Sequence, residues 1–212
     1  MRALIRNTML GWIAGVTLLV SSGATVFAGE ADMAAINAMD RPAFVQKFGG
    51  IFENSPWVAE QAWDKRPFAN VDAMHAAMVE VAKFAPAPRQ LALLQSHPDL
   101  AGKEAQAGAM TASSVTEQAS AGLNALSKDE MRQISDLNAA YKTKFGFPFI
   151  IAVRMHTKEG IFFEFRRRLQ NDTVTEYAND LQNVYAITRL RLAKLLEQRQ
   201  FIPKADHIRR CG

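Results

Sequence analysis

The sequence predicts a single all-α domain of about eight helices with one buried extended segment. Three observations point there. Apolar residues recur at helical spacing, as at Met74, Ala77, Met78 and Val81. Capping and stop residues bracket these stretches, with Asp40, Asp72 and Ser127 before them and Gly49 and Gly146 after. Only one run, residues 147–153, reads as a strand, and a lone strand has no partner. Composition agrees: 212 residues, 49% apolar and 22% charged, are too apolar for a disordered chain and match one domain. The single cysteine, Cys211, excludes an internal disulfide framework and a multi-cysteine metal site.

Residues 1–28 read as an address rather than as fold. Arg2 and Arg6 precede an uncharged apolar run from Met9 to Val20, and small residues follow up to Ala28. That is the three-part pattern of a signal peptide, cut after Ala28. The alternative is an uncleaved anchor, since residues 9–28 carry no charge over about the length of a bilayer span. On either reading the domain, residues 29–212 with a core at 34–198, is expected across a membrane from the cytosol. In a Gram-negative host that is the periplasm. Without the leader, basic residues fall from 25 to 23 against 21 acidic ones. No basic stripe interleaved with aromatics remains, so no nucleic-acid partner is expected. Arg166, Arg167 and Arg168 read as a solvated helix face.

The elements follow in order. Asp40 caps a helix with Pro42 in its first turn, running to Gly49 and Gly50. Asn54, Ser55 and Pro56 form a turn before a short helix at 57–63, with Trp57, Ala59, Ala62 and Trp63 as burial candidates and Glu60 pointing out. Asp72 is the expected cap of a helix at 73–84, closed by Pro86 and Pro88. Residues 89–95 form the next helix. Residues 96–100 interrupt it, since Pro98 biases His97 away from the helical region. Residues 114–126 are helical, Ser127 and Glu130 open a capping box for a helix to Phe145, and Gly146 stops it. After the apolar run at 147–153, residues 158–169 and 173–198 are helical. The last presents Tyr177, Leu181, Val184, Tyr185, Ile187, Thr188 and Leu192 near one face. A basic tail follows Pro203.

Few residues can carry chemistry. His75 borders a helix stripe, His156 is ambiguous and His207 lies in the tail. No His-x-x-x-His, His-x-His or Cys/His pair is present, so no metal site is expected. His97 differs, because the stiff turn made by Pro98 can hold an imidazole at the mouth of a pocket, where it suits acid–base work. The plain alternative is a His-Pro-Asp turn with Asp99 capping the next segment. Ser114 and Glu117 are open in the same way. They spell a capping box, yet a helix start also offers N–H groups to an anionic or amide-bearing ligand.

Together these blocks resemble the OHCU decarboxylase family. The matching stretches are 36–40 (INAMD), 52–57 (FENSPW), 96–102 (SHPDLAG), Ser114 with Glu117 and Gln118, 145–150 (FGFPFI), Arg167-Arg168-Leu169 with Asn171, and 189–192 (RLRL). The resemblance implies an all-α, cofactor-free, generally homodimeric enzyme. It would convert 2-oxo-4-hydroxy-4-carboxy-5-ureidoimidazoline (OHCU) to (S)-allantoin in urate breakdown. It implies His97 and Glu117 as catalytic residues. Pro98, Ser114, Val115, Thr116, Glu117, Gln118, Phe149, Ile150, Ile151, Ala152 and Val153 would line the substrate site. Arg154 is an expected partner for the substrate carboxylate. A leader is no part of the family's core pattern. The alternative function is an exported all-α binding protein of the same fold without turnover.

Overall fold

A computed structural model describes residues 28–197. The leader, apart from Ala28, and the tail with His207 and Cys211 lie outside the described residues. Within them run ten α-helices: α1 Ala28–Asn37, α2 Arg41–Phe48, α3 Trp57–Ala62, α4 Val71–Lys83, α5 Ala87–Gln95, α6 Lys103–Gln106, α7 Ala112–Ser120, α8 Lys128–Phe145, α9 Lys158–Arg168 and α10 Thr173–Glu197. One-turn 3-10 helices occupy Trp63–Lys65 and Val153–Met155. Two helices exceed the eight expected. α1 starts at the expected leader boundary, and α6 is a single turn, too short to show a period.

Local chemistry sets the helix ends. Asp40 accepts a hydrogen bond from the Ala43 N–H at 2.8 Å. Ser127 and Glu130 form the reciprocal capping box, with the Ser127 N–H donating to Glu130 at 2.7 Å. Gly146, at φ +82°, ends α8 in the left-handed conformation that glycine adopts most cheaply. Elsewhere the caps differ from expectation. Asn70, not Asp72, caps α4, because its extended backbone aims its side chain at the Ala73 N–H, 2.8 Å away. Asp72 instead pairs with Arg189 at 2.7 Å. Pro88 opens α5 rather than closing α4. α7 starts at Ala112 and stops at Ser120, short of the expected 126.

α10 is the spine, packed against α4, α5 and α8, while α3 lies on α2 and α4 and α8 meets α9. The core holds Phe44, Phe48, Phe52, Met74, Met78, Leu93, Leu94, Ile134, Tyr141, Phe149 and Phe165, all at most 1% exposed. Burying each such aromatic or aliphatic side chain contributes about 1.5–3 kcal/mol. Ala59 and Ala62 are buried as expected, but Trp57 and Trp63 are half-buried under Arg89 and Arg66.

Residues 147–152 form the expected extended segment. Without a neighbouring strand, side chains of α10 satisfy its buried backbone. The Ile150 N–H donates to Asp180 and the Ala152 N–H to Asn183, both at 3.1 Å. Arg168 donates to the Ile150 carbonyl at 2.8 Å. Arg168 is therefore no part of a solvated face. It is 2% exposed and joins Glu176, Asp180 and Tyr141 in a buried cluster. Its ring neighbour Phe149 stacks on Phe165 at 3.9 Å.

Candidate active site

His97 follows the last turn of α5. The Ser96 hydroxyl holds that turn against the Glu53 and Leu93 carbonyls, each at 2.8 Å. Pro98 prevents the helix from continuing. The chain then turns through Ala101, at φ +48°, whose N–H donates to Gln118 at 2.8 Å. A Cβ on Gly102 would lie 2.5 Å from that of Asp99, so the close return of this loop requires glycine there. Asp99 caps nothing; it pairs with Lys142 at 2.6 Å. Asn138 and Gln118 donate to the Leu100 and Asp99 carbonyls at 2.9 and 3.2 Å. The loop is thus tied to α7 and α8.

The imidazole of His97 is 9% exposed. Its Nδ1 lies 2.9 Å from the Leu93 carbonyl. A carbonyl only accepts, so Nδ1 carries the proton and Nε2 keeps a free lone pair. Burial pushes the imidazole down to about 4, although the nearby Glu53 carboxylate favours the charged form. The ring is therefore neutral near pH 7.

Ser114 and Glu117 do not cap α7. Thr111 does, accepting from the Ser114 N–H at 3.3 Å. Ser114 and Glu117 lie one turn apart on the buried face, where Arg191 of α10 reaches them. Arg191 Nε and Nη2 bind Glu117 in a fork at 2.8 and 2.7 Å. Nη1 donates to Glu53 at 2.6 Å, and Nη2 also donates to the Ser114 hydroxyl at 3.1 Å. Ser114 in turn donates to Glu53 at 3.0 Å, and Thr111 does so at 2.7 Å. Burial alone would push the Glu53 carboxyl up; Arg191 and Thr111 outweigh it and hold Glu53 below the usual range. Two carboxylates therefore share one guanidinium, leaving this centre one negative charge in excess.

A cavity of about 40 Å³ opens between these parts. His97, Pro98, Ser114, Glu117, Gln118, Phe149, Ile150, Ile151 and Val153 line it, so the fold brings together nine of the twelve residues expected. Three lie elsewhere. Val115 is 45% exposed. Ala152 is buried with its N–H turned to Asn183. Thr116 is also outside this cavity: its hydroxyl donates to the Ala112 carbonyl, and it lines a neighbouring groove with Arg154. The His97 cavity therefore does not contain Arg154. His156 is exposed, and His75 is half-buried with Nε2 2.9 Å from the Thr188 hydroxyl. Glu53 and Arg191 went unassigned in sequence, although both stand in the resembling blocks. A buried Arg in a helix of apolar neighbours was the available signal. Among the described residues no group of three or more His, Cys, Asp or Glu side chains is placed to hold a metal ion.

A helical protein with a buried neutral imidazole beside an Arg-locked carboxylate is built for acid–base chemistry on a small polar molecule. Residues 37–193 match the model of the OHCU decarboxylase family. The chain is 40% identical over 165 residues to the 2-oxo-4-hydroxy-4-carboxy-5-ureidoimidazoline decarboxylase of Haloferax volcanii, covering 78% of this chain and 96% of that protein. It is 38% identical over 166 residues to the enzyme of that name from Amia calva, covering 78% and 95%. Among solved structures, an (S)-allantoin synthase superposes with a TM-score of 0.62 at 26% identity, over 77% of this chain and 53% of the other. An OHCU decarboxylase crystallised in the presence of (S)-allantoin shares the fold, with a TM-score of 0.56 at 19% identity over 75% and 99%. The chain belongs to the OHCU decarboxylase family.

Proposed function

We propose that this protein decarboxylates OHCU to (S)-allantoin and CO₂ in urate breakdown. The observation that carries the reading is the pairing of a neutral buried His97 with Glu117 at one small cavity, in a chain of this family. The bond from ring carbon C4 to the carboxylate breaks, and its electrons form a C4–C5 double bond. The π electrons of the adjacent imine shift onto its nitrogen, which takes a proton from solvent. This enediol-like intermediate loses its hydroxyl proton as C5 gains one on a single face. The electron sink lies in the substrate.

The side chains divide this work. Nε2 of His97 takes the hydroxyl proton and can return it to C5. Each Glu117 oxygen accepts from Arg191 and retains a lone pair for the hydroxyl or ureido groups. Successive peptide groups of an extended chain point to opposite sides. Residues 150 and 152 face α10, so the Ile151 N–H and carbonyl face away from it and suit the amide edges of the substrate. General acid–base help of this kind is worth ~10²–10⁴-fold. The test mixes the protein with freshly made OHCU and follows circular dichroism. His97→Ala is expected to lose stereospecific production of (S)-allantoin, and an undiminished rate overturns the His97 role. Glu117→Gln retains shape without charge and is expected to lose activity.

Export and assembly extend the reading. Arg2, Arg6 and the apolar run support a leader removed after Ala28, and N-terminal sequencing from the native host is expected to begin at Gly29. Among the described residues no helix is long and apolar enough to cross a membrane. Family membership supports a homodimer, which light scattering on the purified chain tests.

A further inference from the structure

The wall formed by Glu117 and Arg191 has a second side. Behind it lies a groove of about 300 Å³, lined by both residues and by Lys47, Thr116, Arg154 and Lys194. Glu117 is the one acidic group in this lining, and the cationic side chains there outnumber it. Among the described residues Arg154 and Lys194 enter no ion pair. The groove is thus cationic, and the His97 cavity beside it is not. There, one guanidinium is shared by Glu53 and Glu117, with no charge left for an incoming anion. Attraction for an anion therefore resides in the groove, and its volume reaches the lower range of small-ligand sites.

We propose that this groove is a carboxylate-binding site, with Arg154 and Lys194 holding a small organic anion on the far side of the Glu117–Arg191 wall. The anion is either the carboxylate of the enzyme's own substrate on its way to His97 or a different small carboxylate. The two sources share their chemistry and part in the kinetics.

Two measurements on the full chain test the site. In the first, malonate is titrated calorimetrically into the protein and into the double variant Arg154→Gln/Lys194→Gln, with and without saturating (S)-allantoin. Malonate is expected to bind the parent chain, about tenfold more weakly to the double variant, and equally with (S)-allantoin present. Absence of binding to the parent, equal binding to the variant, or displacement by (S)-allantoin overturns the proposal. The second measurement rests on the decarboxylase reading, whereas the first does not, so either can fail alone. If the substrate is the anion, kcat/KM for OHCU falls about tenfold in the variant with kcat retained, and the loss fades as salt screens the charges. If kcat/KM is unchanged, the groove serves a different carboxylate.

Discussion

A neutral imidazole in a dry site is a base only while it stays uncharged, and burial secures that for His97. Its value near 4 sets the pH at which the free enzyme gains a proton there. The acid limb of kcat/KM is therefore expected near pH 4 rather than near the ordinary 6.5. A pH profile with its acid midpoint at 6.5 contradicts this. The same group shapes stability. Between pH 6.5 and about 4 the unfolded chain binds a proton at His97 that the folded chain does not. Stability from this group is thus present above pH 6.5 and is lost as pH falls, and His97→Gln should flatten that loss in urea titrations. Arg191 has the opposite character: it is always charged and cannot be removed quietly. Arg191→Met leaves Glu53 and Glu117 buried and uncompensated. Breaking such a network by removing one partner costs about 3–5 kcal/mol, measurable by chemical denaturation.

At the level of elements, α10 does for the extended segment what a second strand does in a sheet. Asp180 and Asn183 take the two N–H groups that a strand partner would have taken. Asn183→Ala leaves the Ala152 N–H unpaired, at a cost of about 1–3 kcal/mol. It is expected to raise KM more than it lowers kcat, since the segment loses its set but His97 does not. Asp180 carries a proton-linked signature as well. Burial pushes its carboxyl up to about 7 against the pull of Arg168. From about pH 4 to 7 the folded chain holds a proton there that the unfolded chain has lost, so this contribution declines as pH rises. Asp180→Asn removes it and should steepen the fall in stability toward acid, as read from denaturation midpoints. These elements also show what was legible in the sequence. The caps at Asp40 and Ser127 were, because a cap is a contact within three residues. Ser114 and Glu117 stayed open between cap and ligand site, because the deciding partner, Arg191, lies more than seventy residues away. Arg168 hid in a run of three arginines, since only the folded position of Glu176 and Asp180 sets it apart.

For the whole molecule, the His97 cavity of about 40 Å³ is far below the roughly 300 Å³ at which small-ligand sites begin. Binding therefore requires the walls to part. (S)-Allantoin at 100 times its dissociation constant should still add about 2.7 kcal/mol to stability. The melting temperature of the parent chain is expected to rise accordingly, and that of Glu117→Gln to rise less. One dimension of the fold resists such movement. Asp180 and Arg191 stand about three turns apart on the same side of α10, so one rigid rod spaces the backbone cradle from the charged wall. That rod acts as a ruler with an angular scale. Substituting residues between its two marks leaves the reading intact, but inserting or deleting one turns Arg191 by about 100° relative to Asp180. Length variation in this lineage is therefore expected to accumulate in its loops and to be absent between those two marks.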